Sequence, residues 1–310
     1  MKNKNQDLIG SRTCLGTVQL GLKYGINNKT GKPSTEESIK ILEEAYKSGI
    51  RTFDTAYAYG NAEEVIGGFL SKTGVRKNIQ IISKLKPNVL EEYNGRDPLD
   101  SFLEKRLNES LNRLKTEYLD GYLFHTPGYI YNSPLVDAMK HLREKGLVKN
   151  IGVSIYDVED AISAVNSGWV DYIEVPYSIL DQRIDKSNFF GLAKDKKITI
   201  FARSPFVQGL ILMNPEEIPL HLKSAGKYLE KINKIANAGD VSVLESSLLF
   251  PYSNPHVDYV LFGVDNLSQL KEDLEIILKS KNVRSITKSM KKEFKNINDP
   301  IVIPSLWKKD

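Results

Sequence analysis

What most constrains this chain of 310 residues is an alternation: short β-branched, apolar runs take turns with segments of helical periodicity. The apolar runs fall near 13–17, 50–53, 79–83, 120–124, 149–153, 171–174, 198–202 and 257–262. The segments between and after them carry apolar residues at helical spacing: 34–47, 62–71, 99–115, 134–145, 157–166, 187–195, about 223–250 and 267–279. Strands that are apolar on both faces need cover on both, and crossover helices provide it for a parallel sheet. Eight strand–helix pairs predict an α/β chain closed into a (β/α)8 TIM barrel rather than an open sheet. A barrel accommodates this length as a single domain, 1–310, with a C-terminal tail from about 285.

Local signals agree with that frame. Ser34-Thr35-Glu36-Glu37 has the composition of a capping box, and Gly49 stops the helix that follows. Asn61, followed by Glu63 and Glu64, reads as a second helix start. The glycine- and asparagine-rich stretch from Gly21 to Lys32 is long enough to reach over a pocket. The lysine-rich tail predicts a short helix and an extended end in which Trp307 docks.

Composition narrows the function. The 43 basic and 39 acidic residues are interspersed, net +4, so no basic stripe points to nucleic acid. Cys14 is the only cysteine, which rules out an intramolecular disulfide and a thiolate metal centre, and no metal site is expected. No run approaches the length of a membrane span, and Met1 to Asp7 lacks an apolar segment behind its positive charges, so the expected location is cytoplasmic.

Parallel barrels place their chemistry where strands end. Three strands here end on ionisable groups: the second in Asp54 with Tyr59 in the loop after it, the third in Ser83-Lys84, the fourth in Leu123-Phe124-His125. Taken singly, an aspartate in such a loop is a turn former and a histidine a core-edge residue. Together the four can converge, and a phenol whose ordinary pKa is about 10 can donate a proton if a cation and an imidazole lie beside it.

These residues, in this order, carry a family resemblance. Asp54-x4-Tyr59-Gly60-Asn61-x-Glu63, Ser83-Lys84 and Leu123-Phe124-His125 resemble the signatures of the aldo-keto reductases. So do Leu15-Gly16-Thr17, Asn150-Ile151-Gly152-Val153-Ser154, Ser204-Pro205-Phe206-x-Gln208-Gly209-Leu210 and Gly263-x5-Gln269-Leu270. The resemblance implies an NAD(P)H-dependent oxidoreductase that reduces an aldehyde or ketone, such as a sugar derivative, to an alcohol. In that reading Tyr59 is the general acid, Lys84 the cation beside it, Asp54 the anchor of Lys84, and His125 the group that orients the carbonyl. It implies that the nucleotide is held by Gly16, Thr17, Asp54, Ser154, Glu174, Arg203, Ser204, Pro205, Gln208, Leu210, Gly263, Gln269 and Asp273, and the small-molecule carbonyl substrate by Tyr24, Tyr59 and His125.

Several positions depart from the family's pattern. Ile155 stands where an asparagine donates to the nicotinamide carboxamide, and Glu174 where a glutamine accepts from it, which would place a negative charge near the oxidised ring. Arg203 occupies a position where many members stack an aromatic ring, and Asp273 one where an asparagine meets adenine. The segment Gly263 to Gln269 has no Lys or Arg for a 2′-phosphate; NADP(H) is the cofactor expected from the family and NAD(H) the alternative. A slow-turnover nucleotide-binding regulatory subunit and an unrelated phosphate-handling barrel isomerase are the rival functions. Tyr24, Tyr57, Tyr129, Tyr131 and Tyr177 would suit a hydroxylated ligand, and the chain is similar to members found in bacterial surface-carbohydrate pathways.

Overall fold

The computed structural model of the protein describes residues 9–279, 284–297 and 300–307. Eight strands, each parallel to its neighbours, close into a barrel in chain order. They are β1 (Thr13–Gly16), β2 (Thr52–Asp54), β3 (Gln80–Leu85), β4 (Leu119–Phe124), β5 (Val148–Ser154), β6 (Tyr172–Pro176), β7 (Thr199–Arg203) and β8 (Tyr259–Gly263). The helices between them are α1 (Thr35–Lys47), α2 (Ala62–Thr73), α3 (Leu99–Leu114), α4 (Ser133–Glu144), α5 (Val158–Ser167) and α6 (Phe189–Asp195). Two helices, α7 (Gly226–Ala238) and α8 (Val243–Tyr252), follow β7, and α9 (Leu267–Lys279) and α10 (Arg284–Phe294) follow β8.

The capping box at Ser34 forms as expected: its Oγ accepts from the Glu37 N–H, and the Glu37 carboxylate accepts from the Ser34 N–H at 2.9 Å. Asn61 does not cap α2 with its side chain. Its Oδ1 instead accepts from Lys32 Nζ at 2.6 Å, tying the loop after β1 to the start of α2. The helical region expected over 223–250 is broken in two, because Asp240 adopts a left-handed conformation (φ +54°) and Ser242 caps a new helix by accepting from the Glu245 N–H.

Inside the barrel, Cys14, Ile82, Leu123 and Phe201 pack together with Tyr172, Tyr259 and Leu261 against them. Phe201 and Tyr259 stack with ring centres 4.8 Å apart. At the N-terminal end, Asp120 accepts from the Ile81 N–H and pairs with Arg76 and Lys149 at 2.9 Å, joining β3, β4 and β5. The tail docks, with Met290, Phe294, Ile301 and Val302 buried and Trp307 packed against the core, but its expected extended end forms two 3-10 turns, Pro300–Val302 and Pro304–Leu306, joined by a bond from Trp307 Nε1 to the Ile301 carbonyl at 3.2 Å.

The contact between β5 and β6 leaves no room for a side chain at Gly152, where a Cβ would lie 1.8 Å from the Tyr172 carbonyl oxygen. Gly152→Ala must push two paired strands apart, so it is expected to lower unfolding free energy by about 1–3 kcal/mol. Gly128→Ala, with open space around it, is expected to stay within about 0.5 kcal/mol of the parent; urea denaturation of both variants measures the difference.

Candidate active site

The C-terminal ends of the strands bring the four expected groups together. Asp54 is the last residue of β2, Lys84 lies near the end of β3, and His125 directly follows β4. Tyr59 is held in the loop after β2 by its N–H to the Ala56 carbonyl and by the Thr55 N–H and Tyr57 N–H, which donate to Ile82 and Lys84 of β3. A short helical turn, Val18–Gly21, lies against this loop so closely that a Cβ on Gly21 would be 1.7 Å from the Tyr59 carbonyl oxygen. Thr17 spends both its N–H and its hydroxyl on the Asp54 carbonyl, at 2.9 Å each, which anchors β1 to the end of β2.

Lys84 is 1% exposed and three-way bound: its Nζ donates to Asp54 Oδ2 and, at 3.1 Å, to the Thr55 carbonyl, and it lies 3.2 Å from Glu174 Oε1. The contact with Glu174 has ion-pair distance but not hydrogen-bond alignment, so Glu174 Oε1 is a buried acceptor without a directed donor. Lys84 Nζ is 5.3 Å from the Tyr59 ring centre, and the rings of Tyr59 and His125 meet edge to face at 5.7 Å.

Burial disfavours the Lys84 charge, but Asp54 and Glu174 outweigh it and hold the ammonium above its ordinary range. The two carboxylates diverge. Burial and the neighbouring Glu174 push Asp54 up, whereas Glu174, although buried, is drawn down by Lys84, by a hydrogen bond with Asp54, by Arg203 and by Ser154. Burial, then Lys84, lower His125 to about 3, so its imidazole is neutral; its Nδ1 is buried without a partner. Burial raises the Tyr59 phenol, with Lys84 acting against it and Asp54 and Glu174 with it. Because Glu174 faces Lys84, the attraction it was expected to exert on a positively charged ring is offset at its source.

Several of the positions expected to hold the cofactor are neighbours in the structure. Ser154 and Glu174 are in register on β5 and β6. Ile155 buries its side chain, but its carbonyl accepts from Arg203 Nη2 at 2.8 Å. Arg203 also reaches Ser204 Oγ at 3.3 Å and lies 4.6 Å over the Tyr156 ring. Tyr156 is a residue that sequence reasoning missed, although an aromatic directly after Ile155 was the available signal. Beyond Arg203, the backbone turns left-handed at Ser204 (φ +63°), Val207 (+48°), Gln208 (+55°) and Gly209 (+91°), with Pro205 within the turn and Leu210 buried after it. A β-branched residue such as Val207 is strained in this region; its N–H donates to the Ser204 carbonyl and that of Gly209 to the Phe206 carbonyl, which close the turn.

The loop after β1 crosses to this segment. Ile26 N–H donates to the Gln208 carbonyl at 3.0 Å, Asn28 Nδ2 to Asp265 Oδ1 at 3.1 Å, and Lys29 pairs with Glu217 at 2.7 Å. A cleft of about 500 Å³ opens there, lined by Asn27, Lys29 and Thr30 from the loop after β1, by Leu212, Asn214 and Glu217, and by Asp265, Asn266 and Gln269 past Gly263. Gln269 Oε1 accepts from the Asp265 N–H at 2.7 Å, shaping the turn after β8. Asp273, buried on α9, is pushed up to about 8 by burial and then by Glu272. Lys29 is the second residue missed, a lone cation in a run of asparagine, threonine and glycine.

Of the five phenols considered for a hydroxylated ligand, Tyr24 stands beside Tyr59, Arg203, Tyr156 and Gln208. The others are engaged elsewhere. Tyr57 lies under Arg113 (4.0 Å) and near Lys86, Tyr129 Oη accepts from the Leu90 N–H, Tyr131 donates to Asp160 and buried Tyr177 to Asp185.

The model of the Aldo/keto reductase family matches residues 12–291. The chain is 26% identical to the uncharacterized oxidoreductase YqkF of Bacillus subtilis, over 88% of this chain and 92% of that protein. It is 27% identical to the NADH-specific methylglyoxal reductase of Escherichia coli, over 66% of each. Its fold superposes on the aldo-keto reductase AKR11C1 of Bacillus halodurans with a TM-score of 0.72, at 21% identity over 90% of this chain and 91% of the other. A match spanning nearly the whole barrel, over a mouth that gathers an aspartate, a tyrosine, a lysine and a histidine from consecutive strand ends, makes this chain a member of the aldo-keto reductase family.

Proposed function

We propose that this protein, an NAD(P)H-dependent aldo-keto reductase acting on small carbonyl compounds, reduces an aldehyde or ketone to its alcohol with Tyr59 as general acid. The observation that carries the reading is the buried Lys84 ammonium 5.3 Å from the Tyr59 ring, with neutral His125 meeting that ring edge to face at 5.7 Å. When bound, the reduced nicotinamide supplies hydride to the carbonyl carbon. Tyr59 gives its proton to the carbonyl oxygen, and Lys84 stabilises the phenolate that remains. His125, held neutral, can offer one N–H to the same oxygen without adding positive charge. A slow-turnover regulatory role is not favoured, since the named relatives are oxidoreductases, and a phosphate-handling isomerase would have no use for this set of four.

The residues present fit the nucleotide. Glu174 Oε1, a buried acceptor lacking a directed donor, suits the carboxamide amino group, with Ser154 beside it. The left-handed run from Ser204 to Gly209 suits the pyrophosphate. Asp273, raised to about 8, keeps a proton at neutral pH and so can donate to adenine as an asparagine amide would. For the adenosine ribose, Lys29 supplies the cation that the turn after β8 lacks, and the reading is NADP(H). Asp265 and Glu217 on the same cleft favour a free 2′-hydroxyl and support NAD(H) as a second reading, in keeping with the E. coli relative's name.

Tyr59→Phe is expected to lower the rate of aldehyde reduction by at least about a thousandfold while nucleotide affinity stays within about twofold. A variant that keeps its rate within about tenfold, worth about 1.4 kcal/mol of barrier, would remove Tyr59 from the role of proton donor.

Lys84→Met is expected to be as damaging, and the double variant with Tyr59→Phe no worse than either single one. Lys84 lowers the phenol pKa, so its loss lets the phenol keep its proton to higher pH. The alkaline limb of residual reduction should therefore move up in a pH–rate profile, and a limb that stays or moves down contradicts the assignment.

Lys29→Ala separates the two cofactor readings. Under the NADP(H) reading, NADPH binds tighter than NADH to the parent, and the variant loses about tenfold in NADPH affinity with NADH unchanged. Fluorescence titration in which NADH binds tighter to the parent, and the substitution affects neither, selects NAD(H).

A further inference from the structure

Asp54 on β2 and Glu174 on β6 come from strands on opposite sides of the barrel, yet both reach Lys84. All three residues are 2% exposed or less, and the two carboxyls converge on the same Lys84 Nζ, each shifting the pKa of the other. Two buried carboxylates that converge on one ammonium repel each other, and an O–H donated by one carboxyl and accepted by the other relieves that repulsion. One Lys84 cation then faces one net negative charge delocalised over two side chains. This arrangement does not follow from a carboxamide at position 174, which could bind a nicotinamide but could not share a proton or carry the counter-charge.

We propose that Glu174 is a positioning residue of the catalytic site: it forms with Asp54 a one-proton carboxyl pair that holds Lys84 from both sides of the barrel, so that either carboxylate alone can keep the ammonium in place. The inference rests on the reading of Tyr59 and Lys84 given above. If Asp54 loses its charge, the proton is no longer shared, and Glu174 remains ionised against Lys84 at 3.2 Å. If Glu174 loses its charge, Asp54 ionises and keeps its hydrogen bond from Lys84. In either case the buried cluster keeps zero net charge, and Lys84 keeps its effect on Tyr59. The other groups facing Glu174 leave this count unchanged. Ser154 on β5, Cys14 on β1, His125 after β4 and Tyr59 are uncharged, and Arg203 on β7, which donates to the Ile155 carbonyl, keeps its positive charge outside this three-residue count and favours the ionised form of Glu174.

The test compares Asp54→Asn, Glu174→Gln and the double variant in the full-length protein, with Tyr59→Phe as control. Infrared spectra on exchange from H2O to D2O, without nucleotide at neutral pH, should show a protonated-carboxyl stretch in the parent that both single variants lack. The Asp273 carboxyl is also protonated there, so Asp273→Asn serves as the background for all spectra. With NADPH or NADH, whichever binds tighter, and methylglyoxal as probe aldehyde, each single variant is expected to lose no more than about tenfold in kcat, and the double at least about a thousandfold. Both singles folding while the double does not supports the pair equally, because only the double leaves the buried ammonium without a counter-charge. The proposal is overturned if the infrared signal is absent from the parent or survives in both singles. It is also overturned if Asp54→Asn alone is as damaging as the double while Glu174→Gln changes only nucleotide affinity. An active Tyr59→Phe control would instead overturn the general-acid reading and leave the spectroscopic test of the pair standing.

Discussion

The structure depends on one desolvated charge. An ammonium buried at the mouth of a barrel, as Lys84 is, has to be compensated by partners whose positions do not relax, since water is not there to replace them. Asp54 and the Thr55 carbonyl come from β2 and the residue after it, Glu174 from β6, and Lys84 itself from β3, so closure of the sheet brings the partners within reach. An apolar cluster of the same volume would be a less demanding way to fill this end of the barrel. The opposite arrangement holds deeper inside, where Cys14, Ile82, Leu123 and Phe201 form an apolar plug. The charge is thus placed where it can act on Tyr59, and the apolar layer beneath it keeps the local dielectric low.

The residues that depart from the family's usual pattern are tied into their surroundings. Ile155 offers no side-chain donor, yet its carbonyl fixes Arg203, and the guanidinium rests on Tyr156, so a planar cation takes the place of an aromatic ring on that wall. Asp273 stands where the family has an amide, and burial pushes its carboxyl up to about 8.

Much of this was legible in the sequence because it follows from local rules. Alternating apolar runs and helical segments specify the barrel, and ionisable residues at the ends of three strands specify Asp54, Lys84 and His125. What was not legible is long-range or runs against propensity. No spacing relates β2 to β6, so Glu174 could be read only as a ligand of the nicotinamide and not as a partner of Lys84. Val207 has a side chain that disfavours the left-handed conformation it adopts, a conformation imposed by its surroundings. Asn61 has the composition of a cap, but a lysine 29 residues earlier takes its oxygen. Lys29 carries no signal beyond its charge until the loop folds across to Glu217.

That crossing has a kinetic meaning. The loop after β1 is fastened to the loops after β7 and β8 by a backbone hydrogen bond from Ile26, a side-chain bond from Asn28 and an exposed ion pair from Lys29. If the dinucleotide lies along Ser204 to Gly209 as proposed, these fastenings would have to part before it could lift off. Its residence time then depends on how often a few weak and partly screened contacts open together. On that reading, ionic strength, acting on the exposed pair between Lys29 and Glu217, would control nucleotide exchange without touching the buried groups around Lys84.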